Sequence, residues 1–157
     1  MRFGVIADTH GYFQPRLWQL FGGVDRILHA GDIDSRAVIE ALEEIAPVVA
    51  VRGNVDRGLL AADYPSWCEL EVEGQRLLLI HRGGRVLQAD PTLAAIVGRV
   101  RPQVVVYGHT HQARAEWEAG VYYFNPGLGG RPRLGVQPSA GLLTVEADHI
   151  EGQIVRL

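Results

Sequence analysis

The sequence predicts an α/β protein built on a parallel sheet, and three observations in its first third lead to that prediction. Apolar runs in RFGVIAD, DRILHAGD and PVVAVRGN each end at a polar residue, namely Asp8, Asp32 and Asn54. Runs that are apolar almost throughout are typical of strands covered on both faces. Helix-compatible segments separate the runs, so the order is β-α-β-α-β, which is the pattern of a parallel sheet.

Local signals indicate the helices. PRLWQLF has Pro15 at a first-turn position. In DSRAVIEALEEIA, Asp34 or Ser35 can cap a second helix. The apolar residues of that segment that recur at helical spacing are Val38, Ile39, Leu42 and Ile45. A third helix is predicted over residues 89–102, opening with DP at Asp90.

The rest of the chain predicts hairpins and one long loop. Residues 66–81 are typical of two strands around a turn that includes Gly74. The strand QVVVYG follows the third helix, and two later hairpins turn at Gly120 and near Asp148. Residues 125–139, rich in glycine and proline, form the one long loop, which is either functional or a mobile surface connection.

Length and composition predict a single domain over residues 1–157 with a sizeable core. The apolar fraction of 47% is that of a soluble globular protein, and no uncharged apolar run is long enough to span a bilayer. The first apolar run stops at Asp8 without a cleavage site, so no signal peptide is expected. The single cysteine, Cys68, favours a reducing compartment, the cytoplasm. A net charge of −3 gives no basic footprint for duplex nucleic acid.

Polar side chains that can bind a metal follow five of the predicted strands. They are Asp8 and His10 in ADTHG, Asp32 in HAGD, Asn54 in RGN, His81 in LLLIH, and His109 and His111 in YGHTHQ. Ligands of open α/β sheets bind just beyond the carboxyl ends of the strands. Each motif alone is a weak signal, because turns, capping residues and half-buried histidines commonly produce the same short patterns. Their joint order at strand ends predicts one shared site.

The residue types at this site indicate its chemistry. Carboxylate, imidazole and amide ligands without cysteine suit Mn, Fe, Zn or similar divalent ions. Seven ligands exceed the need of one tetrahedral ion, whereas two ions roughly 3.5–4 Å apart that share a carboxylate would use them all. Such a pair remains net positive, suits a phosphate oxyanion, and activates a bridging hydroxide as the nucleophile near neutral pH.

The ordered set D-x-H, GD, GN, H and GHTH resembles the calcineurin-like metallophosphoesterases. The motifs extend from Asp8 to the NPG at Asn125, and so cover most of the chain. The short length, GNVD and NPG look like the small bacterial and archaeal phosphodiesterase branch, which includes the catalytically weak vacuolar-sorting subunit of the retromer. The resemblance implies an α-β-β-α sandwich, in which two packed mixed sheets are flanked by helices.

The resemblance also implies which residue does what. One metal ion would be held by Asp8, His10, Asp32 and His111, and the other by Asp32, Asn54, His81 and His109. Asp32 would bridge the two ions, and Asn54 would also contact a phosphate oxygen. Asn54, Asp32 and His109 are therefore the expected catalytic residues. Manganese is the favoured metal, with iron, zinc, cobalt or nickel as alternatives.

Two positions depart from the family pattern. Larger relatives carry a histidine after the asparagine that helps to protonate the leaving group, and the small branch commonly carries cysteine. Here the position is Val55, which cannot transfer a proton, and the nearby Asp56 should stay ionised beside two cations. The expectation is a modest enzyme that favours good leaving groups or uses water as the acid. After His81, RGG stands where relatives often have glycine and then histidine, which affects the local loop.

The leading hypothesis is a dinuclear-metal phosphodiesterase that acts on a small phosphodiester or nucleotide and has no membrane partner. The alternative is a metal-binding, protein-interaction scaffold of the same fold with little or no turnover. A generic α/β small-molecule binder would leave the ordered ligand set unexplained. Hairpin edges leave a homo-oligomer open.

Several other residues have two interpretations. His29, inside an apolar strand, is expected to be buried and hydrogen-bonded. Arg52 and Arg57 either contact phosphate or are solvated. The aromatic residues after the first motif either line the substrate opening or pack in the core: Tyr12, Phe13 and Trp18.

Overall fold

The computed structural model describes residues 1–83 and 90–157. The strands in these ranges are β1 (Arg2–Ile6), β2 (Arg26–His29), β3 (Val48–Ala50), β4 (Trp67–Val72), β5 (Gln75–Ile80), β6 (Val104–Val106), β7 (Arg114–Glu118), β8 (Val121–Asn125), β9 (Ser139–Val145) and β10 (Ile150–Arg156). The helices are α1 (Leu17–Leu20), α2 (Arg36–Glu43), α3 (Leu59–Asp63) and α4 (Pro91–Val100).

The strands form two mixed sheets of five strands each. The first sheet has the order β10-β9-β1-β2-β3, and the second has the order β4-β5-β6-β8-β7. In the first sheet β1, β2 and β3 are parallel, which confirms the β-α-β-α-β prediction, while β9 runs antiparallel to β1. In the second sheet β5, β6 and β8 are parallel, and antiparallel partners close both edges.

Three apolar clusters hold the layers together. The central cluster joins the two sheets and includes Phe3, Leu77 and Phe124, all fully buried. A second cluster packs α1 and α2 on the first sheet, and a third packs α4 on the second sheet. The layers are therefore helix, sheet, sheet and helix, as the family resemblance implies. In each sheet the parallel strands are covered on both faces, so their sequences are apolar almost throughout.

The helices agree with the sequence patterns in different degrees. The side chain of Asp90 accepts hydrogen bonds from the backbone N–H groups of Thr92 and Leu93, so it caps α4 as predicted. The predicted first residue of that helix, Ala89, lies outside the described residues. Ser35 is the N-cap of α2, but its side chain makes no capping bond. Helix α1 has only one turn, and the sequence analysis missed α3.

No helix within the described ranges has the length and apolar character that a membrane crossing needs.

Candidate metal centre

The carboxyl ends of strands from both sheets meet at one edge of the sandwich. The loops that follow β1, β2 and β3 carry Asp8, His10, Asp32 and Asn54, and those that follow β5 and β6 carry His81, His109 and His111. The first sheet therefore contributes the carboxylates, and the second contributes three of the four histidines. The structure brings this whole predicted set to one place, as the following distances show.

The first group of potential ligand atoms belongs to Asp8, His10 and His111. These atoms all lie within 4.8 Å of one another. The Nε2 atoms of His10 and His111 are 3.4 Å apart, and Nε2 of His111 is 3.4 Å from Oδ1 of Asp8. Two imidazoles and a carboxylate at this spacing can hold one divalent cation.

The second group consists of Asp8, Asp32 and His81, whose ligand atoms also lie within 4.8 Å of one another. Nε2 of His81 is 3.4 Å from Oδ1 of Asp32 and 3.0 Å from Oδ1 of Asn54. The ring of His109 lies 5.2 Å from that of His81, centroid to centroid. Asp8 is common to both groups, while the bridging role of Asp32 stays a prediction.

Asp8 gives the most direct sign that a cation fits here. Its side chain is fully buried, and Oδ2 accepts a hydrogen bond of 2.9 Å from the backbone N–H of His109. Oδ1 is also buried but has no hydrogen-bond partner within the described residues. An unpartnered carboxylate oxygen is costly in a protein interior, so a cation beside Oδ1 would satisfy the atom.

The backbone at this edge adopts a rare conformation that the sequence did not reveal. Five of the seven candidate ligands have positive φ angles: 54° at Asp8, 46° at His10, 56° at Asp32, 71° at His109 and 58° at His111. Such angles are uncommon for residues other than glycine, and they cluster at functional sites. Backbone hydrogen bonds hold two of these turns, from Asp8 to Gly31 and from His10 to Asp32.

The side chain of Asp56 links the loops that follow β2 and β3 by hydrogen bonds. Its buried carboxylate accepts hydrogen bonds from the backbone N–H groups of Ile33 (2.9 Å), Asp34 (2.8 Å) and Gly53 (2.7 Å). The first two donors follow Asp32 in the chain, and the third precedes Asn54. Asp56 is therefore a structural acceptor whose oxygens are occupied, a role that the sequence did not predict.

His29 plays a similar structural part beneath the first ligand loop. It is fully buried, as expected, and its Nδ1 accepts a hydrogen bond from the backbone N–H of Gly31. This leaves the proton on Nε2, which donates to Oγ1 of Thr9 at 2.9 Å, and Thr9 in turn donates to the carbonyl of Ile33. Burial lowers the pKa of His29 to about 4, so the ring is neutral at neutral pH.

Two glycines are required by the close approach of the loops. A Cβ on Gly53 would lie 2.1 Å from Oδ1 of Asp32, and one on Gly108 would lie 2.8 Å from Oδ2 of Asp8. The GN and GH motifs therefore need glycine because a ligand carboxylate occupies the space where a side chain would begin.

The pKa values of three candidate ligands are shifted in different directions, and the raised pKa of His81 means that a proton competes with a cation there. Burial alone lowers the pKa of His81, but the hydrogen bond and charge of Asp32 outweigh it and raise that pKa. Burial alone raises the pKa of Asp32, but hydrogen bonds from His81 and the N–H of Val55 outweigh it and lower that pKa. Burial lowers the pKa of His109, and the positive charges of His81 and Arg82 lower it further. Asp32 is thus ionised and His109 neutral at neutral pH, and these forms bind cations.

The glycine-rich loop after β8 is hydrogen-bonded to the loop that carries Asp8. Residues 125–130 are buried, and the backbone N–H groups of Gly129 and Gly130 donate to the carbonyls of Ala7 and Asp8. Asn125 donates from its side chain to the carbonyl of Gly108. Only residues 131–135 of this loop form an exposed run, so most of its first half is structural.

Other residues singled out in the sequence have structural contacts. Arg52 donates to the carbonyls of Ala61 and Tyr64, which ties the third ligand loop to α3, while Arg57 is exposed. Phe13 packs against the first-sheet cluster and makes an edge contact with Trp18. The guanidinium of Arg131 lies 4.4 Å from the centroid of the Tyr12 ring. Burial raises the pKa of the Cys68 thiol to about 11, so this thiol is protonated at neutral pH.

Sequence comparisons match the chain to known phosphoesterases. The model of the calcineurin-like phosphoesterase superfamily domain matches residues 1–148. A probable metallophosphoesterase of Methanothermobacter thermautotrophicus is 33% identical over 162 residues, covering 99% of this chain and 92% of the relative. Phosphodiesterase YfcE of Escherichia coli (strain K12) is 37% identical over 166 residues, covering 91% of this chain and 87% of the relative.

Solved structures share the fold at lower identity. A single mutant of Vps29 from Entamoeba histolytica superposes with a TM-score of 0.77 at 19% identity, covering 100% of this chain and 99% of that chain. Wild-type Vps29 of the same organism, complexed with Zn²⁺, gives a TM-score of 0.75 at 19% identity and covers 99% of each chain.

The two packed sheets and the cluster of carboxylates and imidazoles at their edge define a phosphoesterase fold with residues that could bind metal. The chain belongs to the calcineurin-like phosphoesterase superfamily, as the family model and both relatives establish. The resemblance that the ordered motifs predicted is therefore confirmed.

Proposed function

We propose that the protein is a phosphodiesterase that uses two divalent metal ions. The observation that carries this proposal is the fully buried Asp8, which belongs to both groups of potential ligands and whose Oδ1 has no hydrogen-bond partner among the described residues. When bound, the ions would supply positive charge for a phosphate and would lower the pKa of water toward neutrality. Asp8, His10, Asp32 and His111 would hold one ion, and Asp32, Asn54, His81 and His109 would hold the other.

The roles of the chain's own groups follow from their positions. Asn54 is exposed at the mouth of the site, with its Oδ1 3.0 Å from Nε2 of His81, so its amide can orient a phosphate oxygen. The N–H of Val55 donates to Oδ1 of Asp32 at 3.0 Å and keeps this carboxylate in place. The Val55 side chain cannot supply a proton to the departing group.

Small phosphodiesters with good leaving groups, including nucleotide esters, are the proposed substrates. The relative YfcE is named a phosphodiesterase, which supports the diester preference. Manganese is the proposed metal, because the oxygen and imidazole ligands suit it. The lone Cys68 supports a cytoplasmic location.

The alternative is a metal-binding scaffold with little turnover. Val55 and the structural likeness to Vps29 favour it. An activity assay separates the two candidates, because a scaffold would bind metal without hydrolysing a diester.

The test compares hydrolysis of bis(p-nitrophenyl) phosphate with Mn²⁺ by the wild type and by the variants Asp32→Asn and His109→Ala. We expect each variant to lose roughly 100-fold or more in rate, since both side chains would contact an ion. Asp148→Asn and His149→Ala, in an exposed turn, are matched controls and should keep wild-type rates. Equal inertness of all the proteins over several divalent metals would exclude the enzyme.

A further inference from the structure

An open cleft of about 280 Å³ lies beside the candidate metal centre, and its walls are mainly apolar. The apolar lining comes from the start of β4, the end of β5 and one face of α4, namely Trp67, Ile80, Leu93 and Ile96. The guanidinium of Arg99 lies 5.3 Å from the centroid of the Trp67 ring, a cation–π contact that helps to hold this ring in position.

The cleft is continuous with the candidate centre. Asn54 and His81 line it, and these are two of the proposed ligands of the second ion. A phosphate that contacts Asn54 would therefore have one ester oxygen close to the mouth of the cleft. Arg82, which is exposed and also lines the cleft, adds positive charge on this side. The surroundings suit an anion that carries an apolar substituent.

We infer that this cleft is the subsite for a flat aromatic substituent of the phosphoester, such as an aryl group or a nucleobase. An indole ring and three aliphatic side chains match such a group in shape and polarity, whereas they offer little to a small alkyl or charged substituent. This inference rests on the proposed function, because it is the phosphate at the metal ions that presents the substituent to the cleft.

The test measures binding rather than turnover. Phenylphosphonate and methylphosphonate carry the same anionic head and differ only in the substituent. Neither can be turned over by a phosphoesterase, because a P–C bond joins the substituent to phosphorus and there is no ester bond to hydrolyse. We expect the Mn²⁺-loaded protein to bind phenylphosphonate about tenfold or more tightly than methylphosphonate in calorimetric titrations, because only the phenyl group buries apolar surface in the cleft.

Two variants in α4 test whether the preference for phenylphosphonate over methylphosphonate arises in the cleft. Thr92 lines the cleft and is exposed, so Thr92→Trp would fill the cleft without disturbing the core. Ala95 is exposed on the same helix and does not line the cleft, so Ala95→Trp is the matched control. Thr92→Trp should reduce the preference for phenylphosphonate to less than about threefold while methylphosphonate binding persists, and Ala95→Trp should retain the preference.

The outcomes separate the subsite from the function on which it rests. Equal affinity for the two phosphonates in the wild type, or a preference that survives Thr92→Trp, would overturn the subsite and leave the phosphodiesterase proposal intact. Failure of the Mn²⁺-loaded protein to bind either phosphonate would contradict both the subsite and the phosphodiesterase proposal. The wild type alone shows whether phenylphosphonate binds more tightly than methylphosphonate, so this outcome does not depend on how either variant folds.

Discussion

Asp8 and its neighbours combine burial with rare backbone angles. Asp8 is fully buried, has a φ of 54°, and leaves Oδ1 without a hydrogen-bond partner in the described part of the chain. Each of these features opposes stability, since positive φ costs of order 1–3 kcal/mol and a buried, unpartnered polar atom costs a comparable amount. A stable fold tolerates them where a ligand compensates, so they support a cation site.

His29 leads to a prediction about acid stability in metal-free protein. The unfolded chain takes up a proton near pH 6.5, whereas folded His29 stays neutral down to about pH 4. Folding stability should therefore be complete above pH 6.5 and fall by about 3 kcal/mol from this residue as the pH drops to 4. Urea denaturation at several pH values measures the loss.

The variant His29→Gln should lack this part of the pH dependence, so its stability should change less between pH 6.5 and 4. His149→Gln is the matched control, because His149 is exposed in a hairpin turn. A wild-type slope that persists unchanged in His29→Gln would show that other groups cause it.

Val55 leads to a prediction about leaving groups. Its side chain cannot donate a proton, and the Asp56 oxygens already accept three backbone hydrogen bonds. A positioned general acid contributes roughly 10²–10⁴-fold, so its absence should matter most for poor leaving groups. Rates for a series of aryl methyl phosphates should fall steeply as the pKa of the departing phenol rises.

The variant Val55→His should raise the rate for poor leaving groups more than for good ones. Val55→Leu is the control, because a leucine side chain cannot donate a proton either. A wild-type rate that hardly depends on the departing phenol would mean that another group, or an ordered water, acts as the acid.

At the scale of elements, the ligand loops hold each other in place. The loops after β1, β2 and β3 are linked by hydrogen bonds through Thr9, His29 and Asp56. The buried loop after β8 donates backbone hydrogen bonds to the loop after β1. Short strands that end in tight, mutually bonded loops can position ligand atoms more exactly than free surface loops can. The element pattern thus explains how seven candidate ligands from five loops come to lie at one edge of the sandwich.

Asp56→Ala tests this linkage. The substitution leaves three backbone N–H groups without an acceptor, so we expect the free energy of unfolding of metal-free protein to fall by roughly 3 kcal/mol. Asp56→Asn keeps one acceptor oxygen and should lose less. Asp148→Ala, in the exposed turn, should lose almost nothing. An unchanged urea midpoint for Asp56→Ala would contradict the linkage.

At the scale of the whole molecule, the site depends on how the two sheets pack. Ligands from both sheets meet only because the central cluster fixes one sheet on the other. Phe124 belongs to this cluster and is fully buried, and a Cβ on either Gly141 or Gly152 would lie 2.4 Å from its ring. The close approach of these glycines to the ring shows how tightly the interface is filled.

Phe124→Ala should cost about 3–5 kcal/mol, because it leaves a cavity between the sheets. If residues 1–157 form a single domain, tryptophan fluorescence and far-ultraviolet circular dichroism should report one coincident unfolding transition in both the wild type and the variant. Leu134→Ala, at a side chain that is 95% exposed, is the control and should leave stability unchanged. Two separated transitions would mean that the sheets unfold independently.

Short segments of the sequence were enough to predict the strands, three of the helices and the order of the candidate ligands. Apolar periodicity and capping residues are local properties, so the parallel β1-β2-β3 unit and the Asp90 cap could be predicted from short segments. The pairing of two mixed sheets is not local, and it was expected only from the likeness of the ordered motifs to a known family.

The contacts that support the candidate site could not be predicted from the sequence, because they form between distant segments. The positive φ angles, the acceptor role of Asp56, the buried half of the glycine-rich loop and the unpartnered oxygen of Asp8 depend on contacts between segments far apart in the chain. No pattern within one segment encodes them, because their energies arise when separate loops exclude water together. The cleft beside Asn54 likewise exists only where β4, β5 and α4 meet.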